Sequence, residues 1–83
     1  MINEINGIKL TDHKDIPAGL YRHYKGSQYR VFGVARHSET EQELVVYQAL
    51  YGEAGLWVRP LEMFVETVET EQGVKPRFEF QQE

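Results

Sequence analysis

Leu56 to Val68 (LWVRPLEMFVETV) reads as a strand, a single helical turn and a second strand. Leu56-Trp57-Val58-Arg59 is aromatic and apolar, and such residues favour a pleated, half-buried surface. Pro60 cannot donate to a ladder, so that strand stops there. The same proline suits the first position of a helix. Leu61 to Phe64 gives that helix room for one turn, and Val65 to Glu69 resumes the extended chain.

Working back toward the amino terminus, Leu20 to Tyr24, of aromatic and polar residues, reads as a short strand. Lys25-Gly26-Ser27 turns, with Gly26 free to adopt positive φ. Gln28 to Arg36 makes a longer strand, in which Gly33 marks a bulge or bend. His37 to Glu43 is a polar loop. Leu44 to Tyr51 admits two readings. Thr40 and Glu43 are spaced as a capping box, with Gly52 as a stop, which fits a helix over 41–51. Val45-Val46-Tyr47 is β-branched and aromatic, with apolar residues at both parities, and is expected to be a strand. Glu71-Gln72-Gly73 turns again, and Val74 to Phe80 adds an edge strand blunted by Pro76.

The strand order predicts an all-β protein, a small SH3-like β-barrel with a single 3₁₀ turn near Pro60–Phe64. Residues 1–18 are expected to form an irregular N-terminal arm, and residues 19–83 a single barrel domain. The expected core is Phe32, Val34, Leu44, Val46, Leu56, Val58 and Phe64.

Four blocks in fixed order resemble a family of small bacterial proteins known as domain of unknown function 1653. They are GLYRHYKG (19–26), YRVFGVARHSET (29–40), VVYQALYG (45–52) and WVRPLEMF (57–64). The resemblance implies an SH3-type barrel and brings no established activity, ligand or partner.

Composition narrows the function. An 83-residue chain holds one modest core. The absence of cysteine removes disulfides and thiolate chemistry. Residues 1–20 lack an apolar h-region, so no signal peptide is expected, and no apolar run is of membrane length; a domain of this size without disulfides suits a reducing, cytoplasmic setting. Net charge is -4, yet from Lys9 to His37 the basic Lys9, Lys14, Arg22, Lys25, Arg30 and Arg36 meet only Asp12 and Asp15, while glutamates dominate afterwards. A uniformly basic nucleic-acid binder is thereby disfavoured, and a local basic face is not.

Two constellations stand out. Arg36-His37-Ser38-Glu39-Thr40 concentrates donors on a loop, which together with His23 and Arg59 suits a small anionic ligand; the plainer reading is loop capping by Ser38 and Thr40. Tyr21, Tyr24, Tyr29, Tyr47, Tyr51 and Trp57 are many aromatics for so small a chain. Tyr21, Tyr47, Tyr51 and Trp57 would line an aromatic groove, or would turn their rings inward and hydroxyls outward. No catalytic triad, cofactor motif or metal-ligand spacing among His13, His23 and His37 is seen. The expected function is a small binding or interaction module. The alternatives are a small enzyme or subunit acting on a phosphorylated small molecule, and a nucleic-acid-associated accessory domain.

Overall fold

The computed structural model describes the backbone of Glu4–Ile5 and Ile8–Lys9 and the whole of residues 16–82. The element order is β1 (Glu4–Ile5), β2 (Ile8–Lys9), β3 (Gly19–His23), β4 (Gln28–Arg36), β5 (Glu43–Ala49), β6 (Leu56–Pro60), α1 (Leu61–Phe64), β7 (Thr67–Thr70), β8 (Gly73–Pro76) and β9 (Phe78–Gln82). The protein is mostly β, with antiparallel pairing throughout. The expected arm over 1–18 falls largely outside the described residues. Within them, Ile16 and Ala18 are already part of the buried core.

The principal sheet has five strands in the order β6-β5-β4-β3-β9, and β7 and β8 form a separate hairpin. Consecutive strands β3 to β6 pair as neighbours because short turns join them. At the first, the Gly26 amide donates to the His23 carbonyl, with Gly26 at φ +107°. Among the described residues β6 and β9 are not paired to each other, so the sheet is open at both edges. Leu44 to Ala49 lies in β5, as the β-branched run required.

Two expectations are corrected. The turn after Pro60 is α-helical rather than 3₁₀: the Val65 amide reaches back four residues to the Leu61 carbonyl. Val74 to Phe80 is not one edge strand. Pro76 ends β8, the Arg77 amide donates to Glu66, and Phe78 starts β9 against β3.

A bulge in β4 decides which residues reach the core. Val31 pairs with Tyr47 and Gly33 with Val46, leaving Phe32 as the extra residue. The extra residue reverses the alternation, so Val31 and Val34, three apart, both face inward. They are joined there by Tyr21, Val45, Tyr47 and Phe78, with Phe64 from α1 and Ile16 laid over them. Val34, Val46 and Phe64 are buried as expected. Phe32 and Leu44 are only half-buried, on the other face. Leu56 and Val58, also on that face, are 52% and 57% exposed because β6 is an edge strand with no neighbour among the described residues.

The rings of the core interlock. Phe64 and Phe78 stack at 4.3 Å with planes 3° apart, and Tyr21 and Tyr47 pack against Phe64 at 5.4 and 5.8 Å. The Tyr21 hydroxyl donates to the Pro17 carbonyl at 2.7 Å, and burial pushes that phenol up to about 12.

Phe64→Ala, at a side chain 1% exposed, is expected to cost about 3–5 kcal/mol in urea unfolding. Phe32→Ala is expected to cost only about 1.5–2.5 kcal/mol, half the cost at a fully buried phenylalanine. Equal losses at the two positions would mean that the faces of β4 are assigned wrongly. Gly33 holds φ +154° within the bulge. Gly33→Ala is expected to destabilise by about 1–3 kcal/mol, since side chains rarely adopt that backbone conformation. An unchanged urea midpoint would refute a conformational requirement at the bulge.

Candidate functional site

Register places the proposed groups at two separate ends of the sheet. His23 closes β3 and pairs with Phe78, beside the turn that leads into β4. Arg36 ends β4 and pairs with Glu43. Nine residues of strand lie along that path, about 25 Å at the usual rise per residue. Arg36, His37, Ser38, Glu39 and Thr40 therefore form one end of the molecule, and His23 the other.

The far loop satisfies much of its own bonding. The His37 Nδ1 accepts the amides of Glu39 and Thr40 at 3.1 and 3.3 Å, and the Thr40 hydroxyl accepts the Gln42 amide at 3.2 Å. Arg36 pairs with Glu41 at 3.4 Å on the open surface. Glu41 holds φ +63°, which lets the loop return to β5. Ser38 and Glu39 are exposed.

Arg59 is directed elsewhere. Its Nε donates to the Tyr47 hydroxyl at 3.3 Å, and its guanidinium carbon lies 5.6 Å from the centre of the Phe78 ring. The His23 ring meets the same phenylalanine at 5.0 Å. Of the sequence candidates for an anionic ligand, His23 and Arg59 are thus brought together around Phe78.

A chain of aromatic rings extends from this point. His23 lies 4.6 Å from Tyr24 and 6.5 Å from Tyr29, and Tyr29 lies 5.6 Å from Tyr51. The Tyr29 and Tyr51 hydroxyls share a hydrogen bond at 2.8 Å. That bond and burial raise the Tyr29 phenol to about 12, burial being the larger cause. Tyr24 and Tyr51 are exposed, and Trp57 is 59% exposed. Trp57 pairs with Tyr47 on the same sheet face, and a Cβ at Gly55 would come within 3.2 Å of its indole nitrogen. The indole therefore lies over Gly55, at the end of the sheet where Tyr51 sits.

The proposed aromatic groove is divided by depth. Tyr51 and Trp57 are at the surface, whereas Tyr21 and Tyr47 are buried beneath it. Tyr21 and Tyr47 pack the inward face of the sheet, and there they support the surface rather than line it. Phe78 and Arg77, which join the site from the carboxy-terminal segment, had no local sequence signal: they are placed by the pairing of β9 with β3 across most of the chain.

Three cations bear on the imidazole at this end. The His23 imidazole is held below its ordinary pKa, first by burial and then by the cations Arg77, Lys25 and Arg59. Its Nδ1 accepts the Lys25 amide at 3.2 Å, a bond made only with an unprotonated nitrogen. Lys25 lies 5.8 Å from the Tyr24 ring centre. Arg77 pairs with Glu66 at 3.4 Å, but its buried Nε has no partner among the described residues. Among the described residues no three histidine or carboxylate side chains converge to hold a metal ion.

The arrangement offers π faces, one imidazole with an unprotonated Nδ1, and the guanidinium groups of Arg59 and Arg77 beside it. No curated protein matches the chain. The family model of DUF1653, described as a protein of unknown function, matches residues 19–80. A similar solved structure is that of a protein belonging to DUF1653 from Bordetella bronchiseptica. It is 44% identical, with a TM-score of 0.76 over 82% of this chain and 90% of that one. The blocks that resembled the family thus lie within a match spanning most of the chain, and the chain belongs to DUF1653.

Proposed function

We propose that this protein is a small binding module, and that its ligand is a small anionic molecule with a flat or ring-shaped apolar part. The run of rings from Tyr24 through His23 and Tyr29 to Tyr51, set among Lys25, Arg59 and Arg77, carries this reading. Aromatic faces hold planar groups by stacking, and adjacent guanidinium and ammonium groups favour an anion on the same ligand. The architecture is read as an SH3-like barrel left open between β6 and β9, on the strength of its short antiparallel strands and the helical turn between β6 and β7. The absence of cysteine suits a reducing, cytoplasmic setting.

A protein partner is the second reading. It rests on β6, where Leu56, Trp57 and Val58 are all more than half exposed on an edge strand. Unblunted edges of this kind accept an added strand.

Titration of the ¹⁵N-labelled protein with phenol, a ring without charge, separates the readings. Amide shifts are expected at His23, Tyr24, Tyr29 and Tyr51, and Tyr51→Ala is expected to weaken binding roughly tenfold. Shifts confined to Arg36–Thr40, or to none of these residues, would overturn the aromatic site.

The His23 environment makes a further prediction. The folded protein holds this imidazole below its ordinary value of 6.5, so between the two pKa values the unfolded chain binds more protons. Stability is therefore expected to fall as pH drops below 6.5 and to level off once the folded-state pKa is passed. His23→Gln should show a shallower loss between pH 7.5 and 5 in thermal melts. Parallel profiles for the two proteins would remove His23 as the source.

A further inference from the structure

A second recess adjoins the aromatic surface. It is a cleft of about 240 Å³ at the end of β3, lined by Arg22, His23, Tyr24, Lys75, Pro76 and Glu79. Arg22 and Glu79 are register partners across β3 and β9, on the opposite sheet face from His23, so the cleft curls around the strand end. Tyr24 and Lys75 also border a neighbouring recess of about 350 Å³ under the β7–β8 turn. Tyr24 and His23 thus belong both to the ring surface and to this cleft.

The polar groups of the cleft are unevenly committed. Among the described residues the Arg22 guanidinium has no carboxylate within 4.0 Å, although Glu79 is its register partner. Lys75 donates to the Gln72 side chain at 2.6 Å and makes no ion pair there. The Glu79 carboxylate accepts from Gln81 at 3.4 Å. A guanidinium with its fork free, an ammonium from β8 and an aromatic ring at the rim match an oxyanion attached to a ring. The volume suits a phosphate or carboxylate head rather than a whole drug-sized molecule.

We infer that this cleft is the oxyanion subsite of the binding surface, with Arg22 as its bidentate anchor and Lys75 as its second cation, receiving the phosphate or carboxylate head of a ligand whose ring lies on Tyr24. The inference rests on the aromatic reading above and adds the place and chemistry of the ligand's charge. Glu79 acts in the opposite sense: its carboxylate opposes the anion and lowers the affinity of the subsite.

Phenyl phosphate and benzoate, compared with phenol by ¹⁵N-detected titration, test it. Phenyl phosphate is expected to shift the amides of Arg22, His23, Tyr24 and Lys75 and to bind about tenfold tighter than phenol, as one good charged contact contributes. Arg22→Gln should abolish that advantage while leaving phenol binding unchanged, Arg22→Lys should restore part of it, and Glu79→Gln should increase it. Arg22 and Glu79 are exposed, so their replacement leaves the core intact. A preference for phenyl phosphate over benzoate assigns the head as phosphate, and the reverse assigns it as carboxylate; either supports the subsite. Equal binding of phenol and both anions, unaffected by Arg22→Gln, would overturn the subsite and leave the aromatic surface standing. No shift at the rings with any of the three probes would overturn both.

Discussion

Phe78 is touched from two sides. Phe64 stacks flat on it at 4.3 Å, while His23, Tyr29 and Arg59 surround it at 5.0, 5.5 and 5.6 Å. The first contact belongs to the core and the rest to the surface. Phe64 reaches its place because Pro60 stops β6 and one helical turn swings the chain across the open sheet. Phe78 reaches its own because β9 pairs with β3. The stacked pair therefore fastens the carboxy-terminal segment to the helical turn, and the rings of the proposed site are held from behind by it. In a domain with no disulfide, interdigitated aromatic packing is what provides such rigidity.

That fastening also determines the charge at the site. Arg77 immediately precedes Phe78, Arg59 lies one residue before the end of β6, and Lys25 sits in the turn after β3. Each comes from a different part of the chain, and only the closed packing brings them around one imidazole. The protein as a whole has a net charge of -4, and these three cations are set around one imidazole within it.

Strand existence was legible in the sequence because the β-branched and aromatic runs are short and separated by polar or glycine-bearing segments. Gln28–Arg36 was read with its observed bounds. The helical stop at Pro60 and the strand at Val45-Val46-Tyr47 were legible for the same local reasons. Facing was not. A strict alternation predicts Phe32 beside Val34, and the bulge at Gly33 reverses it; the glycine announced an irregularity but not its direction. Nor could alternation tell that β6 is an edge, which leaves Leu56 and Val58 at the surface.

The site was legible in parts and misassembled. The loop Arg36–Thr40 drew notice because hydroxyls, imidazole and guanidinium are adjacent in sequence, and adjacency is what its local hydrogen bonds make use of. Arg59 and His23 are 36 positions apart in the chain yet flank one ring: register sets Arg59 opposite Val45 and His23 opposite Phe78, and the Arg59 guanidinium reaches across to that ring. Convergence of that kind comes from the packing of the whole sheet, which no local pattern carries. Tyr21 and Tyr51 look alike in the sequence, but Tyr21 lies within a paired strand on its inward face and Tyr51 in a turn beyond β5. A tyrosine's exposure here thus follows its place along a strand. Tyr21 and Tyr47, well inside β3 and β5, became packing; Tyr29, second in β4, is half-buried; and Tyr24 and Tyr51, just beyond the ends of β3 and β5, kept their rings exposed.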